Sequence, residues 1–123
     1  MITLQFIAYN LTVLFVVLHF MDSAKESEWT EPIYKNRYPL WLISSAALIV
    51  VALAGIVPVY LSNKAGQVLN YIVGIGGIGA AGYHIPMQRW NGSEVCKNRF
   101  SYWLMYILTF FSIALLVTTI LNV

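Results

Sequence analysis

Four long uncharged stretches constrain this chain more than any other feature of its sequence. They cover residues 2–21, 40–61, 67–87 and 102–121, and all seven basic and all five acidic side chains lie outside them. A helix of about 20 mostly apolar residues crosses the ~30 Å hydrocarbon core of a bilayer, where lipid cannot hydrogen-bond an unpaired backbone. The pattern predicts an all-α integral membrane protein, a bundle of four transmembrane helices with short loops forming one domain over residues 1–123.

The composition excludes most classes of soluble protein. Of the 123 residues, 59% are hydrophobic and 10% are charged, whereas soluble domains contain about 25% charged residues. A net charge of +2 is too small for binding to a nucleic-acid backbone, so the expected partner is the lipid bilayer and not nucleic acid. The single cysteine, Cys96, excludes a disulfide framework and a cysteine-rich metal site.

The charged loops predict the orientation of the helices. Three basic side chains lie in the first loop (22–39) and three in the third (88–101), but only Lys64 lies in the second (62–66). Basic residues accumulate on the cytoplasmic side of membrane proteins. We therefore expect loops one and three in the cytoplasm and both termini outside.

Small residues dominate the third apolar segment, which has glycine at 74, 76, 77, 79 and 82. Their G-x-G-x-x-G match lies inside a membrane segment and does not follow a strand, so it does not indicate a dinucleotide site. Small side chains let helices approach closely, and we expect this face to pack mainly within the chain, with a second copy as the alternative. In the second segment, Gly55 and Pro58 predict a kink.

On two of the predicted helices, polar residues recur at helical spacing: Gln5, Thr12, His19 and Asp22 on the first, and Asn70, His84 and Gln88 on the third. Residues seven apart share one face of a helix. We interpret Gln5, Thr12 and Asn70 as side chains that hydrogen-bond between helices.

Both histidines are predicted to lie at the cytoplasmic end of the bundle, where loop one carries four of the five acids. The candidate binding residues are His19, Asp22, Glu28 and His84, supported by Trp29, Glu31 and Gln88. Ionisable groups at membrane depth usually face the bundle interior or a wet cavity. Three roles fit them: a divalent-metal site on His19, Asp22 and His84, a proton- or ligand-linked histidine–carboxylate pair, or a structural contact that anchors loop one.

The sequence around His19, with Asp22 three residues later and Glu28-Trp29 after it, resembles small bacterial membrane proteins of the HXXEE type. Those proteins carry a histidine near the end of the first helix, an acid three residues on and an acid–aromatic pair nearby. His84 is similar to their second histidine. The chain departs from the pattern in carrying Asp22-Ser23 where the name implies two glutamates. The resemblance implies a bacterial inner membrane and singles out the same four site residues without an activity.

The expected function is a membrane-embedded module that binds or passes a small molecule, an ion or a proton. A chain of 13.9 kDa encloses little space between four helices, so we expect a homo-oligomer. Two other functions fit the same residues: an accessory subunit of a larger membrane complex, and a metal-dependent membrane enzyme. No catalytic residue is identified, and the sequence favours a role other than catalysis.

Overall fold

The computed structural model describes residues 3–25, 38–82 and 99–123, and most of them are helical. The helices are α1 (Leu4–Lys25), α2 (Tyr38–Ala54), α3 (Ile56–Tyr60), α4 (Lys64–Gly82) and α5 (Arg99–Leu121). No strand occurs within these three ranges. The all-α class predicted from the sequence is confirmed for them.

Three segments of the described chain are long and apolar enough to cross a membrane, namely Leu4–Asp22, Tyr38–Tyr60 and Trp103–Leu121. This finding fits an integral membrane protein. Helix α4 has 19 residues but lies outside this set, because Lys64, Asn70 and its glycines lower its apolar content. Helix α4 also begins three residues earlier than the predicted segment at 67.

The bundle carries apolar side chains outside and polar side chains inside. On its surface, Ile43, Phe110 and Ile120 are 68%, 66% and 69% exposed. The polar side chains buried in the described part of the bundle are Thr12, His19, Ser45, Asn70, Ser112 and Thr119. Such an arrangement suits lipid, because hydrocarbon solvates apolar side chains and leaves polar groups to pair within the bundle.

Helix α5 packs along both α1 and α4. It runs antiparallel to α1, since the backbone N–H of Leu4 donates to the carbonyl of Val123 at 3.0 Å. Farther along the same pair of helices, the rings of Phe15 and Phe111 stack with their centroids 5.4 Å apart. These two contacts set the register of α5 on α1.

The close packing of α4 against α5 depends on glycine. A Cβ atom on Gly74 would lie 2.7 Å from the side chain of Leu116, and one on Gly77 would overlap the hydroxyl of Ser112. A Cβ atom on Gly79 would meet nothing within 4 Å in the described part of the chain. The predicted packing within the chain is therefore confirmed for Gly74 and Gly77, whereas Gly79 lies against open space.

The second apolar segment is interrupted at Gly55, which separates α2 from α3. Pro58, which has no N–H to donate, follows within α3. This boundary lies where the sequence predicts a kink, and the kink itself stays a prediction. The hydroxyl of Tyr9 donates to the carbonyl of Ala52 at 2.6 Å and occupies the space that a Cβ atom on Gly55 would need.

We expect Tyr9→Phe to lower the free energy of unfolding by about 1 kcal/mol, because the carbonyl of Ala52 loses a buried hydrogen bond. Water does not replace that bond, since Tyr9 is fully buried. Tyr106, which is 52% exposed on α5, provides the control Tyr106→Phe, and this variant should keep wild-type stability. Chemical unfolding in detergent micelles measures both, and a Tyr9→Phe variant as stable as the wild type would contradict the prediction.

Candidate functional site

His19 lies near the end of α1, inside the bundle. Its side chain is 2% exposed, and its ring centroid lies 5.6 Å from that of Phe20. The apolar side chains that form a buried cluster at this level of α1 and α5 are Val16, Phe20, Met105 and Leu108. His19 is therefore a buried ionisable group at the level of an apolar cluster.

Asp22 lies one turn beyond His19 on the same helix and is half-buried. Residues three apart on a helix are surface neighbours, so α1 keeps this histidine and this carboxylate on one side, as their spacing predicts. The other predicted site residues lie outside the described residues: Glu28, Trp29, Glu31, His84 and Gln88.

The metal site predicted on His19, Asp22 and His84 stays a prediction. Within residues 3–25, 38–82 and 99–123, no group of three or more histidine, cysteine, aspartate or glutamate residues is arranged to hold a metal ion. His84 belongs to the predicted set and falls outside those ranges.

Buried hydroxyl groups occupy the middle of the bundle. Thr12 and Ser112 are both fully buried. The hydroxyl of Thr12 donates to the carbonyl of Ala8 at 2.7 Å, and not to another helix as predicted, because a threonine can use the carbonyl one turn back. The hydroxyl of Ser112 has no hydrogen-bond partner among the described residues.

At the end of the bundle opposite His19, three side-chain amides form a hydrogen-bonded chain. The Nδ2 of Asn70 donates to Oε1 of Gln5 at 3.0 Å, and the Nε2 of Gln5 donates to Oδ1 of Asn122 at 3.3 Å. Asn122 adopts a left-handed conformation with φ of 58°, which asparagine adopts more readily than most residues. The interhelical role predicted for Gln5 and Asn70 is confirmed.

Sequence reasoning missed Asn122 as a member of this chain of amides. It follows the last apolar segment, and no spacing rule connects it with Gln5, which lies 117 positions away. Only the antiparallel packing of α1 and α5 brings the two together.

The three amides line a cavity of about 470 Å³. The end of α3, the first turns of α4, the start of α1 and the end of α5 line it, and other polar side chains on its wall include Lys64, Gln67 and Thr119. Asn70 is 2% exposed there. Its Oδ1 has no hydrogen-bond donor among the described residues.

Residues 5–122 match a family of unknown function, DUF6713. The chain belongs to the DUF6713 family. No curated protein and no solved structure matches it. The DUF6713 match runs from Gln5 to Asn122, so it contains His19, the chain of amides and the glycines of α4. The family description names no activity. A function for this chain therefore has to be inferred from its own residues.

Proposed function

We propose that this chain is a membrane-embedded binding or permeation module for a proton, a cation or a small polar molecule. The observation that carries the proposal is the burial of His19, which is 2% exposed in a segment apolar enough to cross a membrane. An ionisable group is costly at that depth and is usually functional. An imidazole also ordinarily changes its charge between about pH 5 and 8, which lets it take up and release a proton.

The proposed topology has four membrane crossings, made by the three apolar segments described above and by helix α4. The start of α1 lies beside the end of α3, where the rings of Phe6 and Tyr60 are 5.2 Å apart, and beside the end of α5, where Leu4 bonds to Val123. Since α5 ends beside the start of α1, it begins at the opposite end of the bundle. The chain therefore runs the length of the bundle once more between the end of α3 and the start of α5. Helix α4 has 19 residues, which span about 28 Å, and it packs against α5 with Asn70 buried in the bundle.

The proposed orientation places the His19 end in the cytoplasm of a bacterial cell, with the protein in the inner membrane. Lys25 ends α1 and Arg99 begins α5 at that end, whereas Lys64 lies at the other. This asymmetry, together with the basic residues of the two longer loops, is the support for the orientation.

The proposed site extends from His19 and Asp22 to His84 and Glu28. Gln5 pairs with Asn70 across α1 and α4, and a histidine follows each of these amides fourteen positions later, at 19 and 84. Fourteen residues make about four helical turns, so the spacing favours two imidazoles at one depth. In this proposal the carboxylates attract a cation or proton, and the charge of the imidazoles tunes its affinity.

The proposal includes a homo-oligomer, since four helices enclose too little space for a path of their own. Native mass spectrometry of the chain extracted in mild detergent tests this, and we expect a homo-oligomeric mass. Larger subunits at a fixed ratio would instead indicate an accessory subunit. A stoichiometric metal that is lost in His19→Ala would indicate a metal site.

We expect His19→Ala to slow proton flux into pyranine-loaded proteoliposomes by at least about tenfold after a pH step, because the variant loses its titratable group at membrane depth. His84→Ala should have the same effect. Gly79→Ala is the control, because no described residue lies within 4 Å of the added Cβ atom, and it should keep wild-type flux.

Two results would contradict this proton-linked role. In one, the wild-type protein gives no more flux than empty liposomes. In the other, His19→Ala keeps wild-type flux while its unfolding midpoint falls, which would make His19 a structural residue.

A further inference from the structure

We propose that the polar cavity at the α3–α4 end of the bundle binds a phosphate ester whose alcohol carries a hydrogen-bond donor, as in the ethanolamine and glycerol headgroups of phospholipids. Its volume of about 470 Å³ suits a small-molecule site. The cavity lies at the opposite end of the bundle from His19. The proposal is therefore independent of the function proposed for that histidine.

Asn70 provides the acceptor at the buried end of the site. Its side chain is 2% exposed, and its Nδ2 is already bonded to Gln5 at 3.0 Å. Its Oδ1 has no donor among the described residues. A buried acceptor without a donor is destabilising, so this wall of the cavity favours a ligand that brings an N–H or O–H group.

Lys64 provides the cation at the exposed rim. It is the one formally charged side chain among the residues that line the cavity, and it is the first residue of α4. The amide dipoles at the start of a helix also favour an anion. That start is held in place by Asn63, whose Oδ1 accepts the N–H of Gly66 at 2.8 Å. A phosphate group at the rim is attracted by both the ammonium and the helix.

Exposed apolar surface adjoins the rim and favours a lipid as the source of the phosphate ester. Ile120 and Tyr71 line the cavity and are 69% and 36% exposed, and Leu61 at the end of α3 is 62% exposed. Acyl chains attached to a headgroup in the cavity would lie over these side chains. Choline headgroups carry no N–H or O–H donor and leave the acceptor of Asn70 without a partner.

Native mass spectrometry of the full chain tests this site in detergent micelles that contain equal amounts of phosphatidylethanolamine, phosphatidylglycerol and phosphatidylcholine with identical acyl chains. We expect retention of one ethanolamine or glycerol lipid at least about tenfold above that of the choline lipid, because only the first two can donate to Asn70. Equal retention of the three lipids by the wild-type protein would overturn the proposal.

Two variants separate the site from nonspecific lipid binding. Asn70→Leu should remove the preference between headgroups, and an unchanged preference would overturn the role of its Oδ1. Thr109→Ala is the matched control, because its hydroxyl bonds to Met105 within α5 at 2.8 Å and does not line the cavity. It should keep the preference.

Lys64→Gln tests the phosphate end and keeps the proposal falsifiable if Asn70→Leu fails to fold, because Lys64 is exposed. It should reduce retention of all three lipids by about tenfold, since each carries a phosphate, and unchanged retention would overturn the phosphate site. Excess O-phosphoethanolamine and glycerol 3-phosphate then distinguish the sources. Release of the bound lipid would support a site for free phosphate esters and overturn a lipid source, whereas continued retention would support the lipid.

Discussion

Gly66→Ala is expected to destabilise the protein by about 3 kcal/mol, at the upper end of the effects of overpacking. A Cβ atom on Gly66 would lie 2.6 Å from the carbonyl carbon of Pro58 and 2.9 Å from the Cα of Val59, and it would overlap the Pro58 carbonyl oxygen. All three are backbone atoms of α3, so no side-chain rotation relieves the contact. Helix α4 must then move away from α3, which opens the packing between them.

Gly79→Ala is the matched control for this variant, because both glycines lie in α4 and only Gly66 is buried. Alanine favours a helix over glycine by about 1 kcal/mol, and a Cβ atom on Gly79 meets none of the described residues within 4 Å. Gly79→Ala should therefore be as stable as the wild type or slightly more so. Unfolding by SDS in mixed micelles, followed by circular dichroism, measures both, and equal midpoints for the two variants would contradict the prediction.

Gln5→Leu should lower the free energy of unfolding by about 2 kcal/mol, because it leaves a buried amide without partners. Asn70 loses its one hydrogen bond, and neither side of its amide then has a partner among the described residues. Asn122 also loses the donor at its Oδ1. Of the three amides, Asn70 decides the size of the effect because it is 2% exposed.

The double variant Gln5→Leu/Asn70→Leu should recover most of that loss and come within about 1 kcal/mol of the wild type, since replacing both partners removes the unsatisfied group. Asn70→Leu alone should have a small effect, because Gln5 is half-buried and water can reach it. The same SDS titration gives the coupling between the two positions. A double variant that is as unstable as the sum of the two single variants would show that the residues act independently.

Local sequence patterns were sufficient to predict several parts of this fold. The lengths of the apolar segments predicted four helices able to cross a membrane, and three of them meet that criterion in the described chain. Gly55 and Pro58 predicted a kink, and the boundary between α2 and α3 lies at Gly55. The three-residue spacing of His19 and Asp22 placed them on one side of α1. Each of these properties depends on neighbours along one helix, so no tertiary information was needed.

Other parts of the site depend on contacts between distant residues. Thr12 bonds within its own helix, although its spacing is the same as that of Gln5 and His19. Gly66 and Gly79 have the same local helical setting, yet one would collide with α3 and the other would not. No periodicity distinguishes such pairs, because the difference lies in which neighbouring helix each residue meets.

A membrane-type helical bundle follows from the chain alone, since the length and hydropathy of a segment are local properties that decide whether it suits lipid. The packed structure was needed to find the polar cavity, the acceptor of Asn70 and the contact of Tyr9 with the helix break. These features arise where several helices meet in a particular register. That register is set by interlocking side chains and glycine contacts from separate helices, and no single segment encodes it.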